Sequence, residues 1–117
     1  MVLAGQAKFL EPLKLQGIYH LQKELVNSYP YWNQVNGSNA IWFGRKDVGE
    51  WWKGKKSYRY WHVGKKKDLG GDIGEILGPR GMDISPSRIT SRWRYHSEGW
   101  KEAPPSEIIF QDLSQSK

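Results

Sequence analysis

Apolar and polar positions along this chain alternate in short runs, and glycine, proline or asparagine ends each run before it lengthens. The clearest run is Ser57–Val63. Tyr58, Tyr60 and His62 fall on one side of an extended strand, and Arg59, Trp61 and Val63 on the other. Gly17–Leu21 reads as the first strand. Tyr29–Val35 is aromatic and β-prone, with Pro30 confining it to an edge or a strand start. Asn36-Gly37 is the strongest turn dipeptide in the chain, and Ala40–Phe43 is the returning strand of that hairpin. Ile76-Leu77, Arg92–Tyr95 and Glu107–Phe110 complete the set, and Asp68–Gly74 is a turn-rich loop. No window of about ten residues carries a helical apolar stripe free of Gly and Pro. The predicted fold class is therefore all-β, a small antiparallel barrel or sandwich of about six to seven short strands. Residues 1–15 show no alternation and are expected to form an irregular apolar arm. A single β domain is expected over 16–112 and a frayed tail over 113–117.

Composition agrees with a folded domain. Of 117 residues, 38% are hydrophobic, and seven Trp, six Tyr and three Phe exclude a disordered chain. There is no Cys, which removes disulfides and thiolate metal sites. No apolar run approaches the length of a membrane span. The start of the chain lacks the basic and apolar stretches of a signal peptide, so an intracellular, cytoplasmic location is expected.

Charge changes the picture more. The net charge is +6, but it is not spread evenly. Arg45, Lys46, Lys53, Lys55, Lys56, Arg59, Lys65, Lys66 and Lys67 lie in one stretch with only Asp47 and Glu50 against them, a local +7. The rest of the chain is close to neutral. A stretch of this kind attracts phosphate, sulfate or acidic protein surfaces, or simply keeps a hairpin soluble.

Trp51 and Trp52 stand in the same stretch. Neighbours on a strand point to opposite faces, so a core on one side leaves one of the two indoles outside. An exposed indole beside Lys53, Lys55 and Lys56 suits three classes of partner. Nucleic acid would place phosphates on lysines and bases on Trp. A glycan would use Trp as a platform. An acidic protein would use Trp and Arg as anchors. The plainer alternative is that both indoles pack internally, as expected of most of Trp32, Trp42, Trp61 and Trp93.

Catalytic constellations are missing from the pattern. His20, His62 and His96 have no metal-ligand spacing, and there is no nucleophile elbow or phosphate-binding loop. Asp68, Asp72 and Glu75 do not follow the calcium-loop ladder and fit turn chemistry better. Asn36-Gly37-Ser38 matches a glycosylation acceptor but serves equally as a turn. No enzymatic activity, cofactor or metal is expected.

Several landmarks fall in a recognisable order. They are Val26-Asn27-Ser28-Tyr29-Pro30-Tyr31-Trp32, Ile41-Trp42-Phe43, Trp61-His62-Val63-Gly64, Leu69-Gly70-Gly71 with Gly74, and Trp93 with Gly99-Trp100-Lys101-Glu102-Ala103-Pro104. Together they resemble a small Trp- and Gly-patterned β domain that recurs, often in tandem, in protist and invertebrate proteins. That family has no settled activity, so the resemblance implies a β fold rather than a function. Ser28 stands where the pattern has Gly. The stretch at about 44–60 is longer and more basic than the pattern, as an inserted basic-aromatic hairpin would be. The expected function is thus a non-catalytic interaction module that binds an acidic protein or other anionic partner through Arg45–Lys67. Nucleic acid and glycan are the alternatives.

Overall fold

The computed structural model describes residues 1–5, 10, 14–48, 52, 54, 56–71, 73–79, 81, 84–89, 93–96, 100–103 and 108–112, with backbone alone for 45–48 and 56–58. Within these residues the chain forms nine strands and no α-helix. They are β1 (Val2–Ala4), β2 (Gly17–Val26), β3 (Tyr29–Gln34), β4 (Asn39–Val48), β5 (Lys56–Lys65), β6 (Ile76–Leu77), β7 (Arg94–His96), β8 (Trp100–Glu102) and β9 (Ile109–Gln111). They make one sheet in the order β8-β7-β6-β5-β4-β3-β2-β1-β9. Every neighbouring pair is antiparallel. The all-β expectation holds, with more strands than the six to seven expected. The excess comes from very short strands such as β1 and β8, which are too brief to show a period.

The middle of the sheet is held by β4 and β5, which pair over ten residues from Asn39↔Lys65 to Val48↔Lys56. Ala40, Ile41, Trp42 and Phe43 are all buried, as are Trp61, His62 and Val63. A strand buried on both faces loses alternation and reads as a continuous apolar run. On one face Ile41, Phe43, Trp61 and Val63 join Leu3, Leu10, Leu15, Tyr19, Ile76, Trp93 and Phe110 in the main core. The Trp61 ring lies 5.1 Å from Phe43 and 5.7 Å from Trp32.

The sheet curls. Trp93 precedes β7 and Phe110 belongs to β9, near opposite ends of the strand order, yet their rings are 4.2 Å apart. Gly78 admits this packing, since a Cβ there would sit 3.0 Å from the Trp93 ring.

The outer face carries a smaller cluster of Tyr31, Ala40 and Trp42, flanked by Val26 and Leu69. Trp42 stacks on His62 at 5.4 Å and 14°. The His62 Nδ1 lies 2.9 Å from the Tyr60 carbonyl oxygen. The glycine-rich segment 69–74 covers this pair. Trp42 Nε1 donates to the Gly71 carbonyl at 3.0 Å, and Asn27 Nδ2 donates to Phe43 and Gly70 carbonyls at 2.9 and 3.2 Å. Gly44 is what lets the segment approach, because a Cβ there would lie 2.6 Å from the Gly71 oxygen.

Two turns repay comparison with the sequence. Asn36-Gly37 does close the β3–β4 hairpin, but through a four-residue connection, 35–38, with Asn36 in the left-handed region at φ 56°. The two-residue turn is Asn27-Ser28, both at positive φ (54° and 70°), joining the paired residues Val26 and Tyr29. Asn suits that conformation, whereas Ser carries steric cost there.

The segment expected as an irregular arm is a working part of the sheet at its start. β1 lies between β2 and β9. The Met1 ammonium donates to the Tyr19 carbonyl at 2.8 Å, and Tyr19 N donates back to Met1 O at 2.7 Å. Further along, the Tyr19 hydroxyl donates to the Leu15 carbonyl at 2.6 Å.

Two outcomes follow from this packing. Gly44→Ala should cost about 1–3 kcal/mol, because its neighbour is backbone and cannot swing aside, read as a lowered denaturant midpoint. An unchanged midpoint would mean that segment 69–74 is not pressed against β4. Burial raises the Tyr19 hydroxyl well above its usual value of 10.0. Above about pH 10 the unfolded tyrosine ionises while the native one keeps its proton, so stability falls as pH rises further, by at most ~1.4 kcal/mol per pH unit. Tyr19→Phe should remove that part of the slope and cost about 1 kcal/mol near neutrality, which chemical denaturation across a pH series measures.

Candidate binding surface

The β4–β5 ladder outruns its neighbours. Among the described residues β3 pairs with β4 at Ala40 and Ile41, and β6 pairs with β5 at His62 and Val63. Beyond Gly44 and Tyr60 the two strands continue together for Arg45↔Arg59, Lys46↔Tyr58, Asp47↔Ser57 and Val48↔Lys56. Among the described residues, Gly81 N also donates to the Arg59 carbonyl at 2.8 Å. Among the described residues, the outer part of the ladder is therefore a two-stranded ribbon.

The ribbon gathers some of the expected site residues. Register brings Arg45 opposite Arg59 and places Lys46 and Lys56 within the same ladder. Arg59 is exposed. Trp52 lies in the connection between the strands and is 62% exposed. Gly54 adopts φ 83°, a conformation that suits glycine, with open space around it. Trp51, Lys53 and Lys55 lie outside the described residues. The exposure of Trp52 removes the alternative in which both neighbouring indoles pack internally.

The structure separates the remaining three. Lys65, Lys66 and Lys67 lie at the other end of β5, six residues beyond Arg59 at Lys65, or roughly 20 Å along a strand. The stretch that is continuous in sequence is thus divided in space. The ribbon and its connection, 45–59, hold six basic residues against two acidic ones. Lys66 is also committed elsewhere, since its ammonium donates to the Gly37 and Gln34 carbonyls at 2.8 and 3.3 Å.

Sequence reasoning overlooked Arg94 at the foot of the ribbon. Its guanidinium lies 5.1 Å from the centre of the Tyr60 ring, and its register position on β7 is opposite Glu102. The alternation Arg92-Trp93-Arg94-Tyr95 was the available signal. It gave no reason to connect Arg94 with Tyr60, which lies more than thirty residues earlier.

Among the described residues no three His, Asp or Glu side chains are placed to hold a metal ion. His20 and His96 are exposed, and His62 is buried. Asp68 and Glu75 are half-buried, while Asp72 lies outside the described residues. No described helix is long and apolar enough to cross a membrane. An open cleft of about 960 Å³ lies away from the ribbon, beside the β3–β4 turn. Comparison with protein-family models, curated proteins and solved structures finds no match.

The two kinds of Trp should respond differently to truncation. Trp61→Ala removes a buried ring and should cost about 3–5 kcal/mol. Trp52→Ala should change stability by no more than about 0.5 kcal/mol while removing much of the iodide-quenchable fluorescence. A large loss of stability from Trp52→Ala would place that indole in a packing role.

Proposed function

We propose that this protein is a non-catalytic interaction module whose β4–β5 ribbon holds an acidic segment of a partner protein. The observation that carries this reading is the exposed Trp52 at the end of a ribbon with excess basic residues. A large aromatic ring at a tip supplies apolar contact area, and lysines and arginines around it select an acidic partner. Single exposed ion pairs are each worth little in water, about 0.2–1 kcal/mol, so the ring provides the anchor and the charges provide selection.

Register places the backbone of Arg45 opposite that of Arg59, so two arginines occupy one rung of the ribbon. The reading is narrower than Arg45–Lys67: it rests on Arg45, Lys46, Trp51, Trp52, Lys53, Lys55, Lys56 and Arg59, and leaves Lys65, Lys66 and Lys67 aside.

The test is a titration of the intact chain with a short synthetic peptide rich in Glu and Asp, followed by indole fluorescence. Joint replacement Lys53→Glu, Lys55→Glu and Lys56→Glu should weaken binding by about tenfold or more and leave the thermal midpoint in place. Lys65→Glu with Lys67→Glu should have a much smaller effect. Equal binding by the folded triple variant would overturn the proposal. A single-stranded oligonucleotide that binds more tightly than the peptide, with affinity falling steeply with salt, would replace it with nucleic-acid binding.

A further inference from the structure

The cleft beside the β3–β4 turn is built differently from the ribbon and lies at the other end of β5. Lys14, Gln16, Gln34, Val35, Lys66 and the turn 36–38 contribute to its wall, together with Leu10, and none of these residues is acidic. Its frame is a saturated amide network. Gln34 Nε2 donates to the Lys14 and Gln16 carbonyls at 2.8 and 2.9 Å. Gln34 Oε1 accepts from Asn39 N at 3.2 Å and Asn39 Nδ2 at 2.9 Å, and Asn39 Nδ2 also donates to Lys14 O at 3.0 Å. All hydrogen-bonding capacity of the Gln34 carboxamide is used inside the fold. This side chain fixes the backbone at Lys14, which sits in the left-handed region at φ 55°.

Lys14, Lys66 and the turn residues 36–38 all border the cleft. The Lys66 ammonium is held by the Gly37 and Gln34 carbonyls, which leaves one of its three protons for another acceptor. Because it is already held, little side-chain entropy remains to be lost on binding. Among the described residues the backbone N–H groups of Asn36, Gly37 and Ser38 donate to no protein acceptor. Asn36 is left-handed at φ 56°. Successive free amides around a left-handed residue form the kind of concavity that receives an oxygen anion. Charge-assisted hydrogen bonds from ammonium groups strengthen such a site.

We propose that this cleft binds a tetrahedral oxyanion, the phosphate or sulfate group of a small molecule, between the 36–38 amides and the Lys14 and Lys66 ammonium groups. The site is independent of the ribbon. It gives Lys66, one of the basic residues the ribbon leaves aside, a role in holding a ligand as well as in closing the hairpin.

The experiment titrates the intact chain with inorganic phosphate, sulfate or acetate at constant ionic strength, following backbone amide resonances. Phosphate or sulfate should shift Asn36, Gly37 and Ser38 saturably, and the tighter of the two assigns the ligand to phosphate esters or sulfate esters. Lys14→Asn removes a charge at a position where Asn tolerates the backbone, and it should weaken binding by about fivefold or more. Lys66→Arg keeps the charge and guards against loss of the hairpin; it should retain binding within a few-fold. The triple ribbon variant should bind the anion unchanged, so failure of either site is read separately. Shifts that never saturate, acetate binding as well as phosphate, or unaltered affinity in folded Lys14→Asn would overturn the proposal.

Discussion

The β4–β5 ladder sets the terms for the rest of the molecule, because its inner half must be covered on both faces. Ile41, Phe43, Trp61 and Val63 face the main core, and Trp42 and His62 face the other way. Leaving either set in water forfeits a large apolar area, of the order of 150–250 Å² for each aromatic ring. The curled sheet covers the first set. The glycine-rich segment 69–74 covers the second, and it approaches closely because Gly44 has no side chain. The arrangement of β1, β9 and the approach to β7 serves the first requirement, and the hydrogen bonds from Asn27 Nδ2 to Gly70 and from Trp42 Nε1 to Gly71 serve the second.

The same ladder also runs on past its covered half. Among the described residues, strand pairing from β3 and β6 reaches only the inner pairs, while the outer pairs Arg45↔Arg59 to Val48↔Lys56 pair with each other. Trp52 is exposed there, whereas Trp42, Trp61 and Trp93 are buried. Tryptophan thus plays opposite parts according to its place in the fold.

Where the local period was long enough, the sequence was a good guide. Ser57–Val63 showed its two faces, and Asn36-Gly37 marked a hairpin. β1 and β8 escaped notice because three residues cannot display an alternation. β2 runs on to Val26 because its polar residues Gln22, Lys23 and Glu24 lie in a strand paired with β3 around an irregular register. The charge pattern misled in another way. A strand advances about 3.3 Å per residue, so neighbours in a list of lysines end far apart in space. Conversely, Lys14 comes to the same cleft as Lys66 through backbone contacts to Gln34 and Asn39 that no local pattern announces.

Pairing of β1 with β9 joins Val2–Ala4 to Ile109–Gln111, almost the whole chain apart. A contact of such sequence separation is slow to find, since its loop must close before any bond rewards it. The central hairpins close over short connections and have no such delay. Without β9 one edge of β1 is unpaired, and an unpaired edge is a template for another chain. The ring contact between Trp93 and Phe110 ties β9 to the approach to β7 as well as to β1, so the strand that closes the β1 edge is held from two sides rather than by its three-residue ladder alone.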